Sequence, residues 1–444
     1  MSPSTRLLMV GQTDVDDQQP ELESELSRRG FEIHHSDAKA ASNLWAATRS
    51  DVVILDLLAA TAAGEREVFS SLAERLSRSG LSDHRPVIAL ADPSAADTFK
   101  ETVANVDDVL YAPLTAAELV SRIDGLRRLT TMQTELARRT ATAASFGVDL
   151  PEILPPGEIA DANVLVVGEA THFLALETAL SAHAVLVGAF TTDTAFDYLS
   201  RREFDAVIVA LGADDAFDFV QDVRRNPLHF NLPLVVIGER GNEAETTTLF
   251  DAGASEVAAI AGAPGELAAR LTAHIREFRF RQRLNAVYRH SRRHVICDGL
   301  TGLYTRGFLL THLTRIIDDA ERWEEPFTVA AFGVPAMDAI NIEYGYPAGD
   351  LALRQLGNVI GQVVRGEDLA ARFDGPRFAV VFTDTNMDAA ETAARRIAAI
   401  AGNTAFSLDG GEAFSVDLWT GLAQFKPGDT PQSLIDRALA QTGC

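Results

Sequence analysis

Unbroken apolar runs alternate along this chain with stretches whose apolar residues recur every three or four positions. RLLMVG at 6–11, DVVILD at 51–56 and PVIALA at 86–91 are such runs, and the Ala-, Leu- and Arg-rich stretches between them have the helical period. A strand that is apolar at every position is covered on both faces, as in a parallel sheet between two layers of helices. The three runs return in the same order as NVLVVG at 163–168, DAVIVA at 205–210 and PLVVIG at 233–238, with an offset that shrinks from 157 to 147 residues. The order of elements is repeated and only the connections shorten. Each copy is predicted to be a doubly wound α/β domain of about five strands.

Between the copies, DLPEILPPGE at 149–158 is rich in proline and has no period, which marks a linker. RLTAHIREFRFRQRLNAVYRHSRRHV at 270–295 is the one basic segment, and reads either as a contact for an anionic partner or as a solvated connector helix paired with acidic neighbours. A different, α+β pattern opens at Asp298. Within it, VVRGEDLAARFDGPRFAVVF at 363–382 carries two strand-like flanks, LAARF and RFAVVF, around Asp374-Gly375, a favoured hairpin dipeptide. Pro376 has no N–H for a sheet ladder, and Arg377 puts a cation at the tip. The expected organisation is an α/β domain over 1–140, a linker over 141–160, a second α/β domain over 161–280, a connector helix over 281–297 and an α+β domain over 298–444.

A chain of 444 residues, 47% of them apolar, is too long for one core and rich enough for three. No apolar run approaches membrane-spanning length, so no membrane insertion is expected. The two cysteines, Cys297 and Cys444, lack metal-ligand spacing and suit a reducing, cytoplasmic setting. A net charge of −24 argues against nucleic acid as the main partner.

The two repeats resemble the receiver domains of response regulators, which have a flavodoxin-like fold and accept a phosphoryl group on an aspartate. Asp56, at the end of DVVILD, stands at the acceptor position. The family's acidic pair after the first strand holds Mg²⁺, which neutralises transition-state charge. Here that pair is Gly11-Gln12, the hydroxyl position is Ala91 and the lysine position is Ala112. Asp14 and Asp16 offer a substitute for the acidic pair. Asp56 is thus either a phosphoacceptor with little support or a plain strand-end aspartate. In the second repeat the acceptor is Ala210, with Gly168-Glu169 and Gly238 at the supporting positions, which leaves a packing or dimerisation module.

DGLTGLYTRGFL at 298–309 resembles the opening of the GGDEF domain of diguanylate cyclases, through Asp298, Leu300, Thr301, Gly302, Leu303, Arg306 and Leu309. Two receivers followed by such a domain is the architecture of PleD-like cyclases, which join two GTP molecules into cyclic di-GMP. In an active member the hairpin turn reads Gly-Gly-Asp/Glu-Glu-Phe. The aligned residues are Asp374-Gly375-Pro376-Arg377-Phe378, with Pro376 in place of a metal carboxylate. The other metal carboxylate aligns with Gly333, and a second aspartate of that strand with Pro335. Two-metal phosphoryl transfer needs those charges. The resemblance therefore implies no catalytic residues, no metal, no cofactor and no turnover. Asn341 and Asp350 match the family's guanine-recognising pair and are either a vestigial GTP site or turn and cap residues left by descent.

Arg365 and Asp368 form an Arg-x-x-Asp motif five residues before the hairpin turn, the spacing of the family's inhibitory cyclic di-GMP site. Arg396 matches the position of a second arginine that completes it. An arginine fork can bond guanine O6 and N7 together, and a carboxylate can accept from N1–H and N2–H. A second Arg-x-x-Asp, Arg315 to Asp318, lacks that offset. The expectation is a non-catalytic cyclic di-GMP effector, similar to the degenerate members of the family, acting on signalling or adaptor proteins and forming a homodimer. The alternatives are a phosphorylation-gated diguanylate cyclase, or a receiver-like scaffold that binds no nucleotide.

Overall fold

A computed structural model describes residues 5–441, except 12–19, 39, 42–49, 59–62, 78–84, 93–98, 104, 152, 154–155, 158, 227, 239–241, 260–265, 292–295, 405 and 408–412. The first repeat forms β1 (Thr5–Val10), β2 (Phe31–Ser36), β3 (Val52–Asp56), β4 (Val87–Ala91) and β5 (Asp108–Tyr111), all parallel, in the order β2-β1-β3-β4-β5. The second forms β6 (Ala162–Gly168), β7 (Ala184–Ala189), β8 (Ala206–Ala210), β9 (Leu234–Ile237) and β10 (Glu256–Ala258) in the same relative order. The apolar runs are these strands: Val52 to Leu55 and Ala206 to Val209 are at most 1% exposed. Parallel strands joined by helical crossovers bury both faces, so no polar residue alternates with the apolar ones.

The α+β part forms β11 (Tyr304–Thr305), β12 (Thr328–Gly333), β13 (Leu369–Asp374), β14 (Arg377–Phe382), β15 (Phe406–Ser407), β16 (Ala413–Phe414) and β17 (Trp419–Gln424). Its main sheet runs β11-β13-β14-β12-β17, with β12 antiparallel to both β14 and β17. Alternate residues of β12 serve opposite cores. Val329 and Ala331 pack with helices Arg306–Trp323 and Pro431–Ala440, whereas Ala330 and Phe332 pack with helices Tyr346–Val363 and Met387–Gly402. Thr305 and Asn386 cap the helices at 306 and 387 by accepting from Phe308 N–H and Ala389 N–H.

The chain divides into two compact units. One contains Ser4–Thr130 with Ile153–Arg283, so the two repeats fold together; the other contains Thr131–Glu152 with Leu284–Cys444. The helix Ala116–Ser145 runs through residue 140 without a break, so the first five residues of the expected linker are helical. It stops only at Gly147, whose φ of +73° is the left-handed conformation that favours glycine. Ala143 lies in the core beneath the third sheet, and Val148 and Leu150 pack against it. The basic segment lies largely in helix Glu266–Ser291, which begins inside the second repeat. Among the described residues, no helix is long and apolar enough to cross a membrane.

Candidate functional site

The hairpin is built from β13 and β14 as expected, but its two-residue loop is Gly375-Pro376, because Asp374 already pairs with Arg377 in the ladder. Gly375 has φ +40°, which suits a glycine at the first central position. Pro376 occupies the loop, where no ladder donor is required. Arg377 is not a free cation at the tip: its guanidinium makes two bonds to the Asp374 carboxylate, 2.5 Å each, and these hold it above its ordinary value. Arg372 donates to the Gly375 carbonyl at 3.0 Å and to Asp298 at 3.2 Å. Asp298 also accepts from Thr301 N–H at 2.9 Å and Thr301 O–H at 2.8 Å. Burial would raise the Asp298 carboxyl, but the bonds to Thr301 and Arg372 outweigh it and hold the group below the usual range. The opening motif thus folds as a capped turn tied to the hairpin.

Gly333 ends β12, with Arg377 of β14 on one side and Trp419 of β17 on the other. A Cβ at Gly333 would lie 2.3 Å from Trp419 Cζ2 and 2.6 Å from Cε2 and Cη2. The indole therefore occupies the volume a side chain here would need. Position 333 thus carries no carboxylate and a side chain there would have to displace the indole, while position 376 is a proline. Among the described residues, no group of three or more His, Cys, Asp or Glu is arranged to hold a metal ion.

Asn341 is half-buried within helix Met337–Tyr344, and Asp350 is exposed in the first turns of helix Tyr346–Val363. The Asn341 carboxamide lies against the second helix, where a Cβ on Gly349 would come within 2.1 Å of Asn341 Oδ1. That contact gives Asn341 a packing role whether or not guanine is read there.

Arg365 and Asp368 close a tight turn between helix Tyr346–Val363 and β13. Arg365 N–H donates to Asp368 Oδ2 at 3.0 Å, and Asp368 N–H donates to the Arg365 carbonyl at 3.2 Å. The Arg365 side chain is exposed, whereas Asp368 is only 4% exposed and its Oδ1 is buried without a hydrogen-bond partner. Burial and the neighbouring Glu367 push the Asp368 carboxyl up to about 7, against the pull of the Arg365 N–H and of the Arg365 and Arg139 charges. Arg396, exposed on helix Met387–Gly402, donates to the Val363 carbonyl at 3.4 Å, which sets it beside the same turn. The three residues singled out in the sequence for ligand binding are thus gathered around residues 363–368.

Sequence reasoning missed the residues behind this turn. Arg139, 2% exposed, donates to the carbonyls of Gly366, Glu367 and Asp368 at 3.0, 2.9 and 2.9 Å, and to Glu135 at 2.8 Å. Glu135 is fully buried and also meets His312 Nε2 at 2.8 Å, while His312 Nδ1 lies 3.0 Å from the Thr142 hydroxyl. Burial opposes the Glu135 charge, but His312, Arg139 and Arg138 overcome it and hold the carboxyl down to about 2. Arg138 bonds Asp319 at 2.5 Å. The available signal was the polar stripe Glu135, Arg138, Arg139, Thr142, at i, i+3, i+4 and i+7 of an otherwise Ala- and Leu-rich helix.

In the first repeat, Asp56 is half-buried at the end of β3 and accepts from Leu58 N–H at 3.0 Å. Burial raises its carboxyl, tempered by the Leu58 N–H. A Cβ on Gly11 would lie 3.2 Å from Asp56 Cβ, so the strand ends meet closely. Asp14 and Asp16 lie outside the described residues. In the second repeat, Gly168 has φ +151°, and a Cβ there would come within 2.3 Å of the Ala210 carbonyl oxygen.

Residues 295–442 match the model of the diguanylate cyclase GGDEF domain. This part of the chain is a GGDEF domain. Among curated proteins, the chain is 31% identical over 100 residues to the probable diguanylate cyclase DgcT of Escherichia coli, covering 22% of each. It is 32% identical over 136 residues to the uncharacterized protein YhcK of Bacillus subtilis, covering 30% of this chain and 38% of that protein. The chain thus spans between about a fifth and two fifths of the length of these relatives. Among solved structures it is similar to the GGDEF domain of DgcB from Caulobacter crescentus, in complex with c-di-GMP, at 27% identity. That match covers 33% of this chain and 88% of the other, with a TM-score of 0.33. Another is diguanylate cyclase SiaD of Pseudomonas aeruginosa with its activator SiaC, at 25% identity, covering 39% and 65%, TM-score 0.33.

Proposed function

We propose that this chain is a non-catalytic receptor for cyclic di-GMP, in which two degenerate receiver-like domains accompany a GGDEF domain that has lost turnover. The observation that carries the reading is the indole of Trp419 in the space where a side chain at 333 would stand. With Pro376 at the hairpin, neither position supplies a carboxylate to hold Mg²⁺ beside a triphosphate or to activate a 3′-hydroxyl. Arg365, Asp368 and Arg396 remain around one turn, and the buried Asp368 Oδ1 lacks a donor. Guanine N1–H and N2–H supply such donors, while the exposed Arg365 fork can take O6 and N7. Filling an orphaned buried acceptor is worth more than adding a bond at a wet surface. Bound ligand would then favour one arrangement of the chain and present a surface to a protein partner or a second copy. Asp56 remains a strand-end aspartate open to phosphorylation, without the charges that normally assist it.

Calorimetry with cyclic di-GMP on the full chain and on Arg365→Ala tests the binding half. Saturable heat that disappears in the variant is expected, and absence of heat in both would leave a nucleotide-free scaffold. Incubation with GTP and Mg²⁺ or Mn²⁺ tests the other half. No product above background is expected, and cyclic di-GMP formation would establish a cyclase.

A further inference from the structure

We propose that Arg139 is a positioning residue for the dinucleotide site, its guanidinium fixing the turn that presents Arg365 and Asp368. The inference rests on the reading of that turn as the ligand site. Three consecutive carbonyls, of Gly366, Glu367 and Asp368, converge on one guanidinium at 2.9–3.0 Å. A turn whose carbonyls all point at one buried cation has little freedom to reshape, and its outer side is then the side left for ligand. Arg139 is itself fixed by Glu135, which His312 and Arg138 hold in turn. The planar fork of arginine spans several acceptors at once, whereas a lysine ammonium at the same charge cannot. Arg139 belongs to the helix Ala116–Ser145, so part of the polar stripe on that helix, Arg139 with Glu135 behind it, supports the turn.

The charge of Arg139 also acts on Asp368. The groups facing this carboxyl are Glu367 and Arg365 on the turn and Arg139 on the helix, with Glu135 and His312 behind Arg139. Glu367 opposes the Asp368 charge, and Arg365 and Arg139 favour it. A ligand that donates to Oδ1 needs the ionised carboxylate, so affinity should rise with pH through the neutral range. Removing the Arg139 charge should move that rise to higher pH; merely loosening the fold would not.

The test is calorimetry with cyclic di-GMP on the full chain at pH 6, 7 and 8, for wild type, Arg139→Lys, Arg139→Met and Arg365→Ala. Arg139→Lys keeps the charge and is expected to bind at least tenfold more weakly with an unchanged pH profile. Arg139→Met is expected to bind more weakly still, with its pH midpoint displaced upward. Should Arg139→Met fail to fold, judged by far-ultraviolet circular dichroism, Arg139→Lys decides alone. Wild-type affinity in Arg139→Lys, with binding lost in Arg365→Ala, would overturn the positioning role and leave the receptor standing. No binding by wild type would overturn both.

Discussion

An aspartate at 333 would have to displace the Trp419 indole, because its Cβ alone would sit 2.3 Å from the ring. Restoring the family's carboxylate is therefore a packing problem before it is a catalytic one. Gly333→Asp should destabilise the GGDEF domain by about 1–3 kcal/mol, the usual cost of overpacking, with a buried charge adding to it. Trp419→Ala in the same chain should relieve the clash, so the double variant should melt above the sum of the two single losses. Thermal melts followed by tryptophan fluorescence and circular dichroism measure this. Strict additivity would show that the ring moves aside at no cost. Neither variant should make cyclic di-GMP, since Pro376 still supplies no carboxylate. That a glycine and a proline stand at positions 333 and 376 was readable from the sequence. The ring that fills the gap was not, because Trp419 is 86 residues away and meets Gly333 only through the β12–β17 register.

At the scale of elements, the apolar runs were legible because a doubly covered parallel strand leaves its mark at every position. The reach of helix Ala116–Ser145 was not drawn from its own stop signal. The expected domain limit at 140 falls inside the helix, since no proline breaks it between 116 and 145 and the left-handed Gly147 lies just beyond. The stripe of polar residues was visible but the burial of its acids was not, since a Glu and an Arg four apart on a helix read as a solvated pair. Glu118, 5% exposed, shows what burial does there. Arg270 donates to Glu118 at 3.3 Å and to Glu256 at 2.6 Å, and the same Glu256 meets His274. Burial and the Glu256 charge push the Glu118 carboxyl up to about 8, against Arg270. The folded form then holds a proton on Glu118 that the unfolded chain releases in the ordinary carboxylate range. Stability from this group is full below that range and is lost as pH rises toward about 8. Glu118→Gln keeps the neutral state, so the melting temperature of the variant should gain on wild type between pH 5 and pH 8.5. The expected gain is on the order of 10 °C, from roughly 4 kcal/mol over that span at about 2–4 °C per kcal/mol for a unit of this size. Parallel pH profiles for the two proteins would show that Glu118 is ionised throughout.

For the whole molecule, the question is what a chain of net charge −24 does with a dianionic dinucleotide. The net charge offers such a ligand no attraction, so on the proposed reading it would be held by short-range contacts at the turn beside which Arg365 and Arg396 lie. A cyclase solves the same charge problem with divalent ions, and here the two positions that would seat them are a covered glycine and a proline. Divalent ions should therefore be irrelevant to dinucleotide binding by the GGDEF domain. Cyclic di-GMP affinity and melting temperature should be the same, within error, in 5 mM Mg²⁺ and after exhaustive treatment with a chelator, on the order of the unit-fold changes that ionic strength alone produces. A tenfold loss of affinity on chelation would mean that carboxylates outside the GGDEF turn recruit the metal. Dinucleotide binding that ignores magnesium but fails without Arg365 is the behaviour of a domain in which an arginine and a buried aspartate have taken over the recognition of guanine.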